Sequence, residues 1–147
     1  MATGNNLDAG DGDRYRGQTI SLDSASNTVN DGDAVKFDGS GDITQTTANG
    51  DNYIGVVLPE DKSGSDDDNI RTVHVSGNIV AVQLDSTASV GAGDTLVPSD
   101  EDNGAWESDP NSEGMTVDTS SGNTGFVNHP FALESGGNDE VILACFR

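Results

Sequence analysis

Residues 70–84, IRTVHVSGNIVAVQL, decide the fold class. Val73 and Val75 share one parity, with Thr72, His74 and Ser76 on the other. That is the period-two signature of a β-strand, not the 3.6-residue period of a helix. After Gly77 and Asn78 the larger apolar residues Val80, Val82 and Leu84 take the opposite parity. A pattern that changes phase at a glycine requires a bulge or a tight turn there.

The same grammar extends both ways along the chain. Helix signals are nearly absent, because Gly, Asn, Asp and Ser interrupt almost every window long enough for an amphipathic helix. Short apolar or β-branched runs predict strands at 19–22, 34–37, 43–47, 53–58, 95–97, 105–106, 115–117, 125–127, 131–133 and 140–146. The runs at 34–37 and 43–47 flank Asp38-Gly-Ser-Gly-Asp42 and read as a hairpin. The expected fold is all-β: a β-barrel or β-sandwich of short strands with long acidic loops. Residues 1–17 are polar and Gly/Asp-rich and read as an extended, flexible N-terminal arm, leaving 18–147 as one β-rich domain.

An internal echo runs through that domain. Gly32-Asp-Ala-Val35 is followed by Asp38, Gly41 and Ile43, then by the apolar run at 54–58. Gly93-Asp-Thr-Leu96 is followed by Asp102, Gly104 and Trp106, then by 131–134. Each half continues through an acidic loop into a strongly apolar run, 71–84 or 140–146. Two such halves are expected to pair their long strands around a shared core.

Composition narrows the habitat and excludes function classes. The 147 residues carry 26 acids against 6 Lys plus Arg, a formal charge of −20. Lysine is limited to Lys36 and Lys62. Such a surface repels itself at ordinary ionic strength. In molar salt the Debye length falls to about 3 Å and the repulsion is screened. The expected source is therefore a salt-loving host or its virus. A strong negative field also opposes phosphate backbones, so no direct nucleic-acid contact is expected. No apolar run approaches the roughly 20 residues of a membrane span. The first residues have neither the basic start nor the apolar stretch of a secretory signal, so none is expected.

Candidate chemistry is sparse. Cys145 is the single cysteine, inside the apolar run 141–146, and reads as a buried apolar side chain. His74, on the polar side of its strand, and His129, before Pro130, read as surface or interface residues without ligand spacing. Asp100-Glu-Asp-Asn-Gly104 approaches a calcium-loop pattern but its glycine arrives one place early, and Asp66-Asp-Asp68 has no wrapping geometry. There is no G-x-S-x-G elbow and no phosphate-binding loop. No cofactor, metal or enzymatic activity is expected. The one local basic cluster is Arg14 and Arg16 around Tyr15, residue types enriched at interface hot spots.

The motifs GDAVKF (32–37), YIGVV (53–57), VHVSGNIVAV (73–82), VGAGDTLV (90–97) and FALE (131–134) resemble the small capsid decoration, or cement, proteins of tailed viruses, the lambda-type head-decoration group. The resemblance covers about residues 18–147. It implies a structural virion protein on the outer capsid surface, a homotrimer bound to the major capsid protein and stabilising the head. It also implies an arm that lies across the shell and adds a strand to it. That role would fall to residues 1–22, with Leu7, Arg14, Tyr15, Arg16 and Ile20 as capsid contacts. The extreme acidity and a long insert around 99–124 depart from the pattern; the acidity suits a virus of a halophilic archaeal host. The alternative is a virion turret, fibre or host-surface adhesion protein, which the 5% aromatic content supports little. A halophile surface-layer protein and an unrecognised hydrolase are further rivals; the first lacks any N-x-[ST] triplet here.

Overall fold

The computed structural model describes residues 18–24, 29–59, 70–109, 116–118, 125–127 and 129–146. Among them there is no helix and the fold is all-β. The strands are β1 (Gln18–Asp23), β2 (Ala34–Phe37), β3 (Ile43–Gln45), β4 (Gly55–Val57), β5 (Ile70–Ser76), β6 (Asn78–Gln83), β7 (Leu96–Pro98), β8 (Trp106–Ser108), β9 (Thr116–Asp118), β10 (Gly125–Val127), β11 (Phe131–Ala132) and β12 (Val141–Phe146). They form a five-stranded sheet in the order β1-β5-β4-β2-β3, a three-stranded sheet β11-β12-β6, and two ribbons, β7-β8 and β9-β10.

The phase change at Gly77 is a change of sheet. β5 stays in the five-stranded sheet, whereas β6 pairs with β12, Val82 facing Ile142 and Val80 facing Ala144. Gly77 makes the corner with φ +65°, a left-handed conformation that costs a β-carbon-bearing residue roughly 1 kcal/mol or more.

The second half of the chain repeats the strand pairing of the first at matching positions. Ile20 faces Val73 as Val80 faces Ala144. Val57 faces Val73 as Ala132 faces Ala144, and Val56 faces His74 as Phe131 faces Cys145. Val35 faces Gln45 as Leu96 faces Ser108. The parallel bridge Ser24–Ile43 recurs as Leu84–Trp106, and the Ala34–Val56 pairing recurs as the Thr95–Phe131 bridge. Loop bonds follow suit. Gly32 N–H donates to the Val57 carbonyl and Val57 N–H to that of Asp33; Gly93 and Ala132 do the same with Ala132 and Asp94. Thr46 N–H donates to Ala34 as Asp109 does to Thr95, and Leu58 donates to Thr72 as Leu133 does to Leu143. Strands β1 to β5 are thus matched by β6, β7, β8, β11 and β12, with β9 and β10 as an added ribbon. In each half one bridge brings the first strand to the third without a continuous ladder, so neither sheet closes into a barrel.

The turns that frame the echo share one device. An acid three residues on accepts from the N–H that opens the turn, while its own N–H returns to the opening carbonyl. Asp33 does this with Asn30, at 2.6 Å and 3.2 Å. Asp94 does it with Gly91, Asp51 with Ala48 and Glu140 with Gly137. Gly32 (φ +85°) and Gly93 (φ +94°) occupy the third turn position, which in a type II turn needs positive φ.

Two apolar clusters result. Val29, Val35, Ile43, Val57 and Val73, with Leu22 and Val75 beside them, form a core made wholly by the first half. The larger cluster holds their second-half counterparts Val90, Leu96, Trp106, Ala132, Ala144, Val82 and Phe146. It also takes in Ala34, Val56 and Leu58 from the opposite face of the first half's sheet. The halves are joined there: Phe146 meets His74 edge-on at 5.8 Å and Tyr53 meets Trp106 edge-on at 5.1 Å. The β7–β8 loop completes the joint, since Ala34 N–H donates to Gly104 and Gly104 N–H donates to Thr46.

Candidate docking surface

Strand β1 is the outermost strand of the five-stranded sheet, so one row of its backbone groups has no neighbouring strand within the sheet. Its residues are exposed except Leu22, which leans onto the first-half core. Its counterpart β6 is also a sheet edge, yet Val80, Ala81 and Val82 are fully buried. The contrast follows from the joint: the first half covers β6, and nothing equivalent among the described residues lies over β1. Ile20 sits on β1 at 39% exposure, where its counterpart Val80 is at 0%. Ile70, opposite Asp23 on the neighbouring strand, is also exposed. Of the sequence-predicted contacts, Ile20 is therefore on an open strand. Leu7, Arg14, Tyr15 and Arg16, with the rest of the 1–17 arm, lie outside the described residues.

Both histidines differ from expectation. His74 is fully buried, because the second face of β5 is covered by the second half of the chain. Neither of its ring nitrogens has a hydrogen-bond partner among the described residues, and burial lowers its pKa. His129 is buried too, stacked at a tilt on Tyr53, with its pKa lowered by burial and partly restored by Asp109. Cys145 is half-buried, not a core residue, because its face of β12 is only partly covered.

The acids serve the loops. Asp102, in the calcium-like stretch, accepts from the N–H and hydroxyl of Ser86, which lowers its pKa. Asp85, 1% exposed, accepts from Thr87 N–H and the Ser99 hydroxyl. Glu107 lies beside Asp85 and Asp100; burial first, then their charges, push it up to about 7. Among the described residues no group of three or more His, Cys, Asp or Glu is placed to hold a metal ion; residues 66–68 lie outside them. Nor is any described helix long and apolar enough to cross a membrane.

Two features escaped the sequence reading. One is the burial of β5 on both faces. The other is that matching strands of the two halves differ in exposure, β1 being open and β6 buried, of which the Gly-Asp echo gave no sign. No protein-family model matches the chain, and no curated protein matches it.

Proposed function

We propose that the protein is a structural virion component that docks on the outer face of a tailed-virus capsid, through the major capsid protein, and stabilises the head without catalysis. The observation that carries this reading is β1, an exposed edge strand that continues directly from the arm holding Leu7, Arg14, Tyr15 and Arg16. An open edge strand is what strand addition uses. The Arg-Tyr-Arg cluster is the one place where two basic residues lie together in the sequence, and it would favour docking on an acidic surface. The −20 charge suits a particle assembled in concentrated salt, where such repulsion is screened.

Stabilisation by such a protein is thermodynamic. A ligand that binds only the assembled lattice stabilises it by about 2.7 kcal/mol per site at a hundredfold excess over its dissociation constant. Purified heads with and without the protein, heated in molar salt, test the role. Decorated heads are expected to melt higher, and deletion of residues 1–17 is expected to abolish both binding and the shift. Equal melting with and without bound protein removes the proposed function.

A further inference from the structure

The two halves meet over a buried face, yet little besides that face holds them together. Among the described residues no strand ladder or bridge crosses from one half to the other. The backbone bonds between them are confined to the β7–β8 loop, where Gly104 bonds Ala34 and Thr46. The chain passes from one half to the other at Gly77, where φ is +65° and an added Cβ would meet nothing within 4 Å. The first half also keeps a core of its own, since Val29, Val35, Ile43, Val57 and Val73 take nothing from the second. The remaining tie is the apolar contact itself, and His74 is sealed into it, fully buried and edge-on to Phe146.

Nothing around His74 can receive a positive charge. On its own sheet it lies between Thr19 of β1 and Val56 of β4, with Thr72 and Ser76 on the same side of β5. Phe146 faces it from β12, and Arg71 belongs to the opposite side of β5 by strand alternation. Neither ring nitrogen has a hydrogen-bond partner among the described residues, and burial alone accounts for its lowered pKa. His129, the other buried histidine, has Asp109 beside it to offset a charge. Two carboxyls stand at the rim of the joint. Asp33 packs on Gly104, and Glu107 sits beside Asp85, Asp100 and Asn49. Both have raised pKa values, so falling pH neutralises them and favours closure. His74 works in the other direction, because an imidazolium without a partner cannot stay in an apolar contact.

We infer that protonation of His74 opens the molecule at this joint: the halves swing apart about Gly77, each keeping its own sheets, so that water reaches the imidazolium and the face formed by Ala34, Val56 and Leu58 is uncovered. Such an opening costs less than unfolding, because it breaks the few bonds at Gly104 and no ladder, and it leaves the first-half core intact. The device belongs to the fold and does not depend on a capsid.

The free protein in molar salt therefore tests it. Trp106 is the only tryptophan, and it meets Tyr53 of the first half edge-on, so its emission reports the joint. Lowering the pH from 7 to 4 is expected to shift the wild-type emission reversibly to the red at unchanged far-ultraviolet circular dichroism. His74→Leu is expected to abolish the shift, and His129→Gln to retain it. Native hydrogen exchange on the wild type gives a second test that needs no variant. Protection of the Gly104 N–H, which crosses the joint, should fall by up to about tenfold per pH unit below the folded pKa of His74. Protection of the Val57 N–H, which bonds Asp33 within the first half, should hold. Emission that does not move, a leucine variant that opens like the wild type, or a shift that vanishes with His129 overturns the inference. So does an equal loss of protection at Gly104 and Val57, the mark of whole-chain unfolding.

Discussion

Asp33 is 7% exposed and held by Asn30 N–H and the Gln45 side-chain amide, yet burial raises its pKa from 3.8 to about 6. A carboxyl group whose folded pKa is raised binds its proton more tightly in the native state. Its contribution is therefore fully present below pH 4 and is lost as pH rises to about 6, a loss of about 3 kcal/mol at most at 1.36 kcal/mol per unit. Asp33→Asn keeps an acceptor and removes the charge. Between pH 4 and pH 7 the urea midpoint of the wild type should fall relative to that of the D33N variant; parallel midpoints count against the buried-carboxylate account. His74 has the opposite sign. Its pKa is lowered, so stability is complete above pH 6.5 and declines as pH falls through the folded value. His74→Leu should remove that decline, while also removing two buried nitrogens that lack partners among the described residues. Imidazole nuclear magnetic resonance across pH gives the direct check: a His74 that titrates at or above 6.5 in the native state refutes it.

At the scale of strands, the tightest backbone approach is at Gly55 on β4, where an added Cβ would land on the His74 carbonyl oxygen. Gly55→Ala must push β4 off β5, and a loss of about 3 kcal/mol or more is expected from such overpacking. At Gly77 the space is open and only the positive φ resists, so Gly77→Ala should cost about 1–2 kcal/mol. Equal midpoints for the two variants in urea would show that the close approach is not what demands glycine at position 55. Strand positions were legible because each apolar run is bounded by Gly, Asp or Asn turns, as at Gly32-Asp33 and Gly93-Asp94. Facing was less legible. Alternation reports a buried side and a wet side, but β5 and β6 are covered on both, so His74 and Ala81 broke the rule. The residues around Gly77 signalled a corner, but not that β6 would leave its neighbour, because its partner β12 is the last strand of the chain. Of the candidate docking residues only Ile20 lies among the described residues, and its exposure could not be judged from sequence without knowing which half lies over which strand.

For the molecule as a whole, charge and duplication set the behaviour. Many acids are tied into turns, but the sum of −20 still acts against compaction. The thermal midpoint should climb steeply from millimolar to molar sodium chloride, with potassium chloride equally effective if screening is the cause. A midpoint indifferent to salt would contradict this. The two halves also differ in one respect that has practical weight. The first passes from Thr46 to Ile54 through residues 47–53, whereas the second travels from Asp109 to His129 by way of β9 and β10, which among the described strands pair only with each other. Since the first half builds the same framework without that detour, a linker the length of 47–53 should replace residues 110–128 with the remaining strands intact, judged by far-ultraviolet circular dichroism. The detour is thus a spare port on an otherwise finished frame, a place where an epitope or a fluorescent cargo can be spliced without disturbing the scaffold that carries it.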